Sequence, residues 1–453
     1  MPQWFRSHGW LGILVVVLVA LLVAAACGDD DETATKTPGG TSPAATATPV
    51  GQVDALAAIF FPASGRVLLR EALEQKLIGK FLFVDGTKSQ AMFDDLGASN
   101  FEGMQGTAAG AANPTFDAAY KAKTGKSPTE VNYTREGYDA VYMIALAAAA
   151  ANSSKSSDIR DNLRFVSNPP GDKVGPGTAE FTKAVGLLKQ GKDINYEGAS
   201  GPVDMDANGD LASGLVQVWK IVNGKITDDP TSPVTVDLAK DAGVQVPAGS
   251  LKAGTTTPTT PLKIGALLSF TGDLKDFGQP IFDAMQLAAE QINAAGGVWG
   301  QPIQIVKGDD ATNPEQGKTD AQRLVTVEKV NAIVGALSSG VSLPVAENVT
   351  GPAGVLQISP ASTAPTLTTA KDSDFLFRTP IADIAQAIVL ADLAKKLGYK
   401  NVCTMYVNTD YGQGLTENFA KDFQKLGGTV SQQVKIEQQQ TTYVSEIRKC
   451  VGK

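Results

Sequence analysis

Residues 263–306 read KIGALLSFTGDLKDFGQPIFDAMQLAAEQINAAGGVWGQPIQIV. Lys263 to Leu268 is a short apolar run, and Gly272 to Gly278 is a glycine-bounded loop. Ile281, Met285, Ala288, Ala289 and Ile292 then recur on one helical face. Gly296-Gly297 stops that helix, and Ile303 to Val306 is the next apolar run. Strand, helix and strand in this order predict two parallel strands joined by a crossover helix, the unit of an α/β fold.

The same alternation continues outward. A helix is expected around Gln316 to Glu328 and a strand at Ala332 to Leu337. Asp383 can cap a helix that ends at Gly398. Val402 to Val407 is a strand; Phe419, Phe423 and Leu426 line the helix after it, and Tyr443, Ile447 and Cys450 line the last one. Towards the N-terminus, strands are expected at Ala55 to Phe61, Phe81 to Val84 and Val216 to Val222, the last followed by a turn at Asn223-Gly224. Helices are expected at Val67 to Leu77 and Arg135 to Ala151, where Ala145 to Ala151 is an alanine run inside an amphipathic helix. Pro247 to Pro261, rich in Thr and Pro, is a polar linker between the two blocks. Each block is unfinished alone. The helix ending near Cys450 has no strand after it, and the strand at Ala55 has no helix before it. Placed end to end they complete one βαβ unit, so one fold is expected rather than two small domains.

Composition narrows the chemistry. The chain has 453 residues, with 39 Lys and Arg against 47 Asp and Glu, a net charge of −8. A pI near 5.0 argues against nucleic acid as a partner. The hydrophobic content of 43% with 19% charged residues suits a globular protein with a real core. Arg6 and His8 precede an apolar stretch, Leu11 to Ala26, that closes on Ala24-Ala25-Ala26; this is the pattern of a secretory signal peptide over residues 1–27. His8 is the only histidine. A chain cleaved after that segment has no Ser-His-Asp or Cys-His machinery and no imidazole metal ligand. Residues 28–52 read as a disordered tether. Asp204 to Gly209 opens like a calcium loop, but its twelfth position is Leu215, so it reads as a turn. The Gly272 loop lacks the Lys-Ser/Thr ending of a phosphate-binding loop. No catalytic constellation, metal site or cofactor is expected.

Two resemblances add to this. Val23 to Gly28 resembles a bacterial lipobox, with Ala24 where leucine is usual, which implies that Cys27 is the lipidated first residue of the mature protein. The motifs Gly296-Gly297 with Gly300-Gln301-Pro302, Gly335-Ala336-Leu337-Ser338-Ser339, Ile358-Ser359-Pro360-Ala361-Ser362-Thr363-Ala364-Pro365, Phe377-Arg378-Thr379 and Asp410-Tyr411-Gly412-Gln413-Gly414 resemble those of type I periplasmic solute-binding proteins. The group most similar in these motifs is the leucine/isoleucine/valine-binding proteins of ABC transporters. That resemblance implies two Rossmann-like α/β lobes with parallel sheets, joined by a hinge of three crossing strands. The order departs from the family: residues 262–453 hold its N-terminal half and residues 53–246 its C-terminal half, bridged by a linker at 247–261, as in a circular permutant. One lobe would hold about 262–380 with 113–212, the other about 381–453 with 53–112 and the strand at 213–226.

The resemblance also implies a site. Ser339, opening a helix that runs towards Asn348, and Thr363 would meet a carboxylate, and the Ala361 carbonyl and Asp85 an ammonium. Tyr411, Phe277 and Phe61 would form apolar walls. Asp85 is shorter than the glutamate many members carry, and Phe277 and Phe61 lack the hydroxyl of tyrosines common there. Cys403 and Cys450, left over in an exported chain, can form a disulfide or stand as buried free thiols. The implied protein is a monomeric lipoprotein, held outside the cytoplasm by its lipid anchor. It captures a small amino acid, branched-chain or otherwise apolar, and passes it to ABC permease subunits. A ligand-sensing module on the same fold, or a binder of an amide, urea or small carboxylate, is the alternative. No enzyme activity is expected.

Overall fold

The strand that opened the sequence reading, Lys263–Leu268, is the second strand of a five-stranded parallel sheet. A computed structural model describes residues 53–110, 113–229, 232–241 and 243–452. The signal peptide, Cys27 and the tether to residue 52 lie outside the described residues. The sheet runs Gln304–Asp309, Lys263–Leu268, Ala332–Gly335, Leu356–Ser359 and Leu376–Arg378. Its helix, Lys275–Ala294, buries Ile281, Met285, Ala288, Ala289 and Ile292 as the periodicity requires. That helix starts inside the stretch expected to be a loop, so Phe277 stands in its first turn. Gly278 serves close packing there rather than a turn: a Cβ would sit 2.2 Å from the Ser269 carbonyl oxygen.

A second sheet of eight strands gathers segments from both ends of the described residues. Its order is Thr429–Ile436, Asn401–Val407, Ala55–Ile59, Phe81–Phe83, Gln105–Ala109, Ser213–Val222 and Lys225–Asp228, with Val234–Asp237 also pairing Ser213–Val222. Ala55–Ile59 runs parallel to Asn401–Val407, with Ala55 opposite Val402 and Ile59 opposite Tyr406. Asp54 fixes that junction, its carboxylate accepting the N–H groups of Lys400 (2.7 Å) and Asn401 (2.8 Å). The last helix, Val444–Cys450, is joined to the Asn401 strand by a Cys403–Cys450 disulfide, Cα–Cα 5.7 Å.

Two expectations are corrected, for the helix Thr134–Ala151 and for Asp383. Residues 247–261 form no helix or strand, and they are tied along the protein by hydrogen bonds. Asn168 donates to the Pro247 carbonyl, Asn162 bonds both backbone groups of Lys252, and Gly254 N–H donates to Ala151 O at 2.7 Å. The helix Thr134–Ala151 is not amphipathic; all but one of its residues are buried, because it is packed by the helices Lys275–Ala294 and Ser156–Ser167. Asp383 is not a cap: Ala382 holds that position, and the Asp383 N–H is bound to Thr363 O. Asp204 to Gly209 is a turn, with Asp206 accepting the N–H groups of Asn208 and Asp210. Asp210 is paired with Arg378 at 2.5 Å. No helix among the described residues is long and apolar enough to cross a membrane.

Candidate functional site

Ser339 follows the strand Ala332–Gly335 and is the first residue of the helix Ser339–Val345, which continues as a wider turn over Ala346–Thr350. Its Oγ accepts the N–H groups of Thr363 and Ala364, each at 3.2 Å. With those acceptor sites filled, the Ser339 hydroxyl keeps its own proton for another acceptor. The loop after Leu356–Ser359 is stitched down beside it. Ser359 Oγ donates to Ala336 O at 2.7 Å, and Ser362 Oγ donates to Ser342 Oγ at 2.8 Å. Ala361 reaches the cleft; Thr363, fully buried, stands behind it.

Asp85 comes from the other sheet. It opens the single 3₁₀ turn Asp85–Thr87 after strand Phe81–Phe83, and Thr87 Oγ1 closes that turn on Val84 O at 2.8 Å. Asp85 Oδ1 accepts from Tyr411 (2.8 Å) and Gln386 Nε2 (2.7 Å), and Oδ2 accepts from the Tyr133 hydroxyl. Burial pushes the Asp85 carboxyl up, against the pull of these three donors. Gly86 makes this possible. A Cβ there would lie 2.7 Å from the Tyr411 hydroxyl and 2.9 Å from Phe60 O. Tyr411 lies in the first turn of helix Asp410–Lys425. Phe61 stacks on it with ring centroids 5.5 Å apart, and Phe277 meets Tyr133 edge-on at 6.4 Å.

Six of the predicted residues, all but Thr363, line one cleft between the two sheets, together with Gly86, Tyr133, Leu274, Leu337 and Ser338. The cleft is tight, with a cavity volume of about 10 Å³, room for roughly one water. Beside the lining residues Leu274 and Phe277, contacts run from the Lys263 side to the Ala55 side. Asp273 accepts from Ser64 N–H (3.2 Å) and Ser64 Oγ (2.6 Å), and Asp276 accepts from Arg66 (2.9 Å) and Ser89 Oγ (2.5 Å). An amino acid is several times larger than a water, so the walls of this cleft must part to admit one. Sequence reasoning missed Tyr133 and Gln386. Tyr133 precedes its helix with φ 70°, a left-handed backbone that no local motif announced. Gln386 looks like any polar residue on a helix face. The arrangement offers a hydroxyl donor on one wall, a carboxylate on the other, and aromatic rings between. Among the described residues no cluster of His, Cys, Asp and Glu could hold a metal ion.

Comparison with known proteins matches residues 261–452 to a family described as periplasmic binding protein, and residues 49–224 to one described as receptor family ligand binding region. An amino acid binding protein of Pseudomonas aeruginosa is 38% identical over 36% of this chain and 44% of its own length. A Leu/Ile/Val-binding protein homologue of Brucella melitensis is 34% identical over 37% of this chain and 45% of its own. A solved branched-chain amino acid transporter substrate-binding protein of Streptococcus pneumoniae, in complex with isoleucine, is 30% identical over 43% of this chain and 55% of its own, with a TM-score of 0.38. The chain thus spans about half the length of these relatives.

Proposed function

We propose, since the chain belongs to the periplasmic binding-protein family, that it is a solute-binding protein, not an enzyme, working outside the cytoplasm. It captures a small α-amino acid, branched-chain or otherwise apolar, for an ABC permease, and Cys27 anchors it to the membrane by lipid. The observation that carries this is a shared cleft: Ser339, whose hydroxyl proton is unspent on the N–H groups it accepts, and the Asp85 carboxylate line one cavity from two different sheets. A zwitterion presents an anion and a cation on one carbon, and a dry cleft must pair both. Because the two partners sit on different sheets, a solute touching both favours the closed arrangement over the open one. Ala361 adds a carbonyl and Thr363 a hydroxyl, and Phe61, Phe277 and Tyr411 give the side chain an apolar bed.

The order of the chain is a circular permutation of the family's. Two observations support it. The family matches fall on residues 49–224 and 261–452, and the strand at Ala55 lies against the strand at Asn401 in one sheet. On this division residues 53–246 and 262–453 are each an incomplete half, and the tied segment 247–261 bridges the old ends. The Asp85 carboxylate already holds three protein donors, which favours one second reading: a small carboxylate without an ammonium group.

Thermal unfolding with a panel of amino acids, amides and small carboxylates tests the proposal. A solute that binds only the folded state, present at a hundred times its dissociation constant, adds about 2.7 kcal/mol. A raised midpoint with L-leucine, L-isoleucine or L-valine supports amino acid capture. A shift only with carboxylates moves the reading to the second class, and no shift across the panel contradicts both.

A further inference from the structure

A second cavity, which shares no lining residue with the solute cleft, has a volume of about 820 Å³. That lies inside the range of roughly 300–1,000 Å³ typical of small-molecule sites. It opens between helix Thr178–Lys189, the end of helix Thr134–Ala151, the turn after helix Lys275–Ala294, and the tied segment 247–261. Val185 and Leu188 come from the first of these, Trp299 from the turn and Leu251 from the tied segment. Polar groups of these walls bond one another. Trp299 Nε1 donates to Ala148 O at 3.2 Å, Gly254 N–H to Ala151 O at 2.7 Å, and Asn152 Nδ2 to Gly254 O at 3.2 Å. The walls therefore present chiefly carbon. Leu251 is 40% exposed, although its neighbour Lys252 is pinned by Asn162 and, at 3.0 Å, by Asp161. The anchored backbone thus keeps an apolar side chain in water at the cavity wall.

Gly186 is an independent sign that the space is meant to stay open. It lies inside helix Thr178–Lys189, where glycine costs stability relative to alanine. Its φ is not positive, so no turn requires it. A Cβ there would meet nothing within 4 Å, so no close packing requires it either. What its missing side chain leaves free is part of the cavity, and a glycine lets a ligand lie close to the backbone. Lys189, three residues on, is the single charged residue in the lining, and among the described residues it has no ion pair. One ammonium, a point charge without the fork of an arginine, suits a monoanion.

We propose that this cavity binds a free carboxylate carrying one unbranched hydrocarbon chain, with the chain on Val185, Leu188, Leu251 and Trp299 and the head on Lys189. Burial of the chain supplies the affinity, and the lysine sets the orientation. The inference does not depend on the solute-capture reading.

Two measurements on the full chain test it. Melting without ligand compares wild type with Gly186→Ala. The methyl fits an empty space, so the midpoint is expected to rise; a lower midpoint overturns the cavity. Calorimetry then titrates decanoate, below its micelle-forming concentration, into wild type, Gly186→Leu, Leu251→Glu and Lys189→Gln. Saturable binding to wild type is expected, weakened about tenfold or more by Gly186→Leu, which fills the cavity. Leu251→Glu, a change at an exposed side chain, is expected to do the same and decides the matter if Gly186→Leu fails to fold. Lys189→Gln is expected to weaken decanoate several-fold and to leave neutral 1-decanol unaffected. No heat with decanoate, or wild-type affinity in Leu251→Glu, overturns the site. Displacement of decanoate by L-leucine places it in the solute cleft and overturns the site as well. Equal losses for decanoate and 1-decanol in Lys189→Gln overturn the role of Lys189.

Discussion

Ser339 and Asp85 do opposite work, and their hydrogen bonds show why. Ser339 Oγ is filled as an acceptor by two N–H groups, so what it offers the cleft is a proton. Ser339→Ala therefore removes a donor to the solute and leaves two buried N–H groups unpaired, a cost of about 1–3 kcal/mol. We expect solute affinity to drop about tenfold or more with the fold retained, read by calorimetry and by circular dichroism. Gly86→Ala places a methyl 2.7 Å from the Tyr411 hydroxyl, so Tyr411 must leave Asp85. Overpacking of this kind costs about 1–3 kcal/mol, and a melt unchanged from wild type would show that Tyr411 has room to spare. At this scale the sequence was half legible. Asp85, Ser339, Ala361 and Tyr411 stand at strand ends in motifs with a family shape. Tyr133 and Gln386 reach Asp85 from about 48 and 301 residues away, and neither sits in a local pattern that betrays it.

Among the elements, the strands with apolar runs were readable and those without were not. Lys263–Leu268 and Asn401–Val407 match their predicted bounds to within a residue. Gln105–Ala109 reads as small and polar, yet it is a central strand, where Gly106 packs so close that a Cβ would meet the Trp219 ring at 2.7 Å. Thr429–Ile436 is an edge strand with few buried side chains, so its sequence carries little hydrophobic signal. Two predictions belong to this scale. The Cys403–Cys450 bond closes a loop over a sequence separation of 47. Cys450→Ala should lower unfolding stability by about 2–4 kcal/mol, measured by denaturant titration under oxidising conditions; equal midpoints would mean that the terminal helix is held by packing alone. Arg66 on the Ala55 side joins Asp276 on the Lys263 side at 2.9 Å with little exposure on either side chain. Arg66→Ala should weaken solute binding several-fold and speed its release, with release rate as the readout.

Over the whole molecule, buried acids set the pH response. Burial pushes Glu136 up to about 7 and Asp310 up to about 6, and raises Asp85, Asp139 and Asp383 as well. Each of these folded-state values lies above that of the unfolded chain, so the folded state holds more protons. Stability is then greatest near or below the ordinary carboxylate range, about pH 4, and declines as pH rises towards 7. Melting scans from pH 4.5 to 7.5 should show a falling midpoint, and a rising one would mean that ion pairs outweigh the buried acids. The pairing of the Ala55 strand with the Asn401 strand was foreseeable from two unfinished halves, because a helix without a next strand and a strand without a previous helix complete each other. That the segment 247–261 is tied down was not, since its bonds are to backbone groups that Thr-Pro composition cannot reveal. On the proposed function, one solute is gripped from both sheets at once. Calorimetric titration of L-leucine into wild type, Ser339→Ala, Asp85→Asn and the double variant tests this most directly. Each single variant should bind at least about tenfold more weakly, and the double variant should show no measurable heat. Wild-type affinity in either single variant would mean that the solute is not held from both sheets.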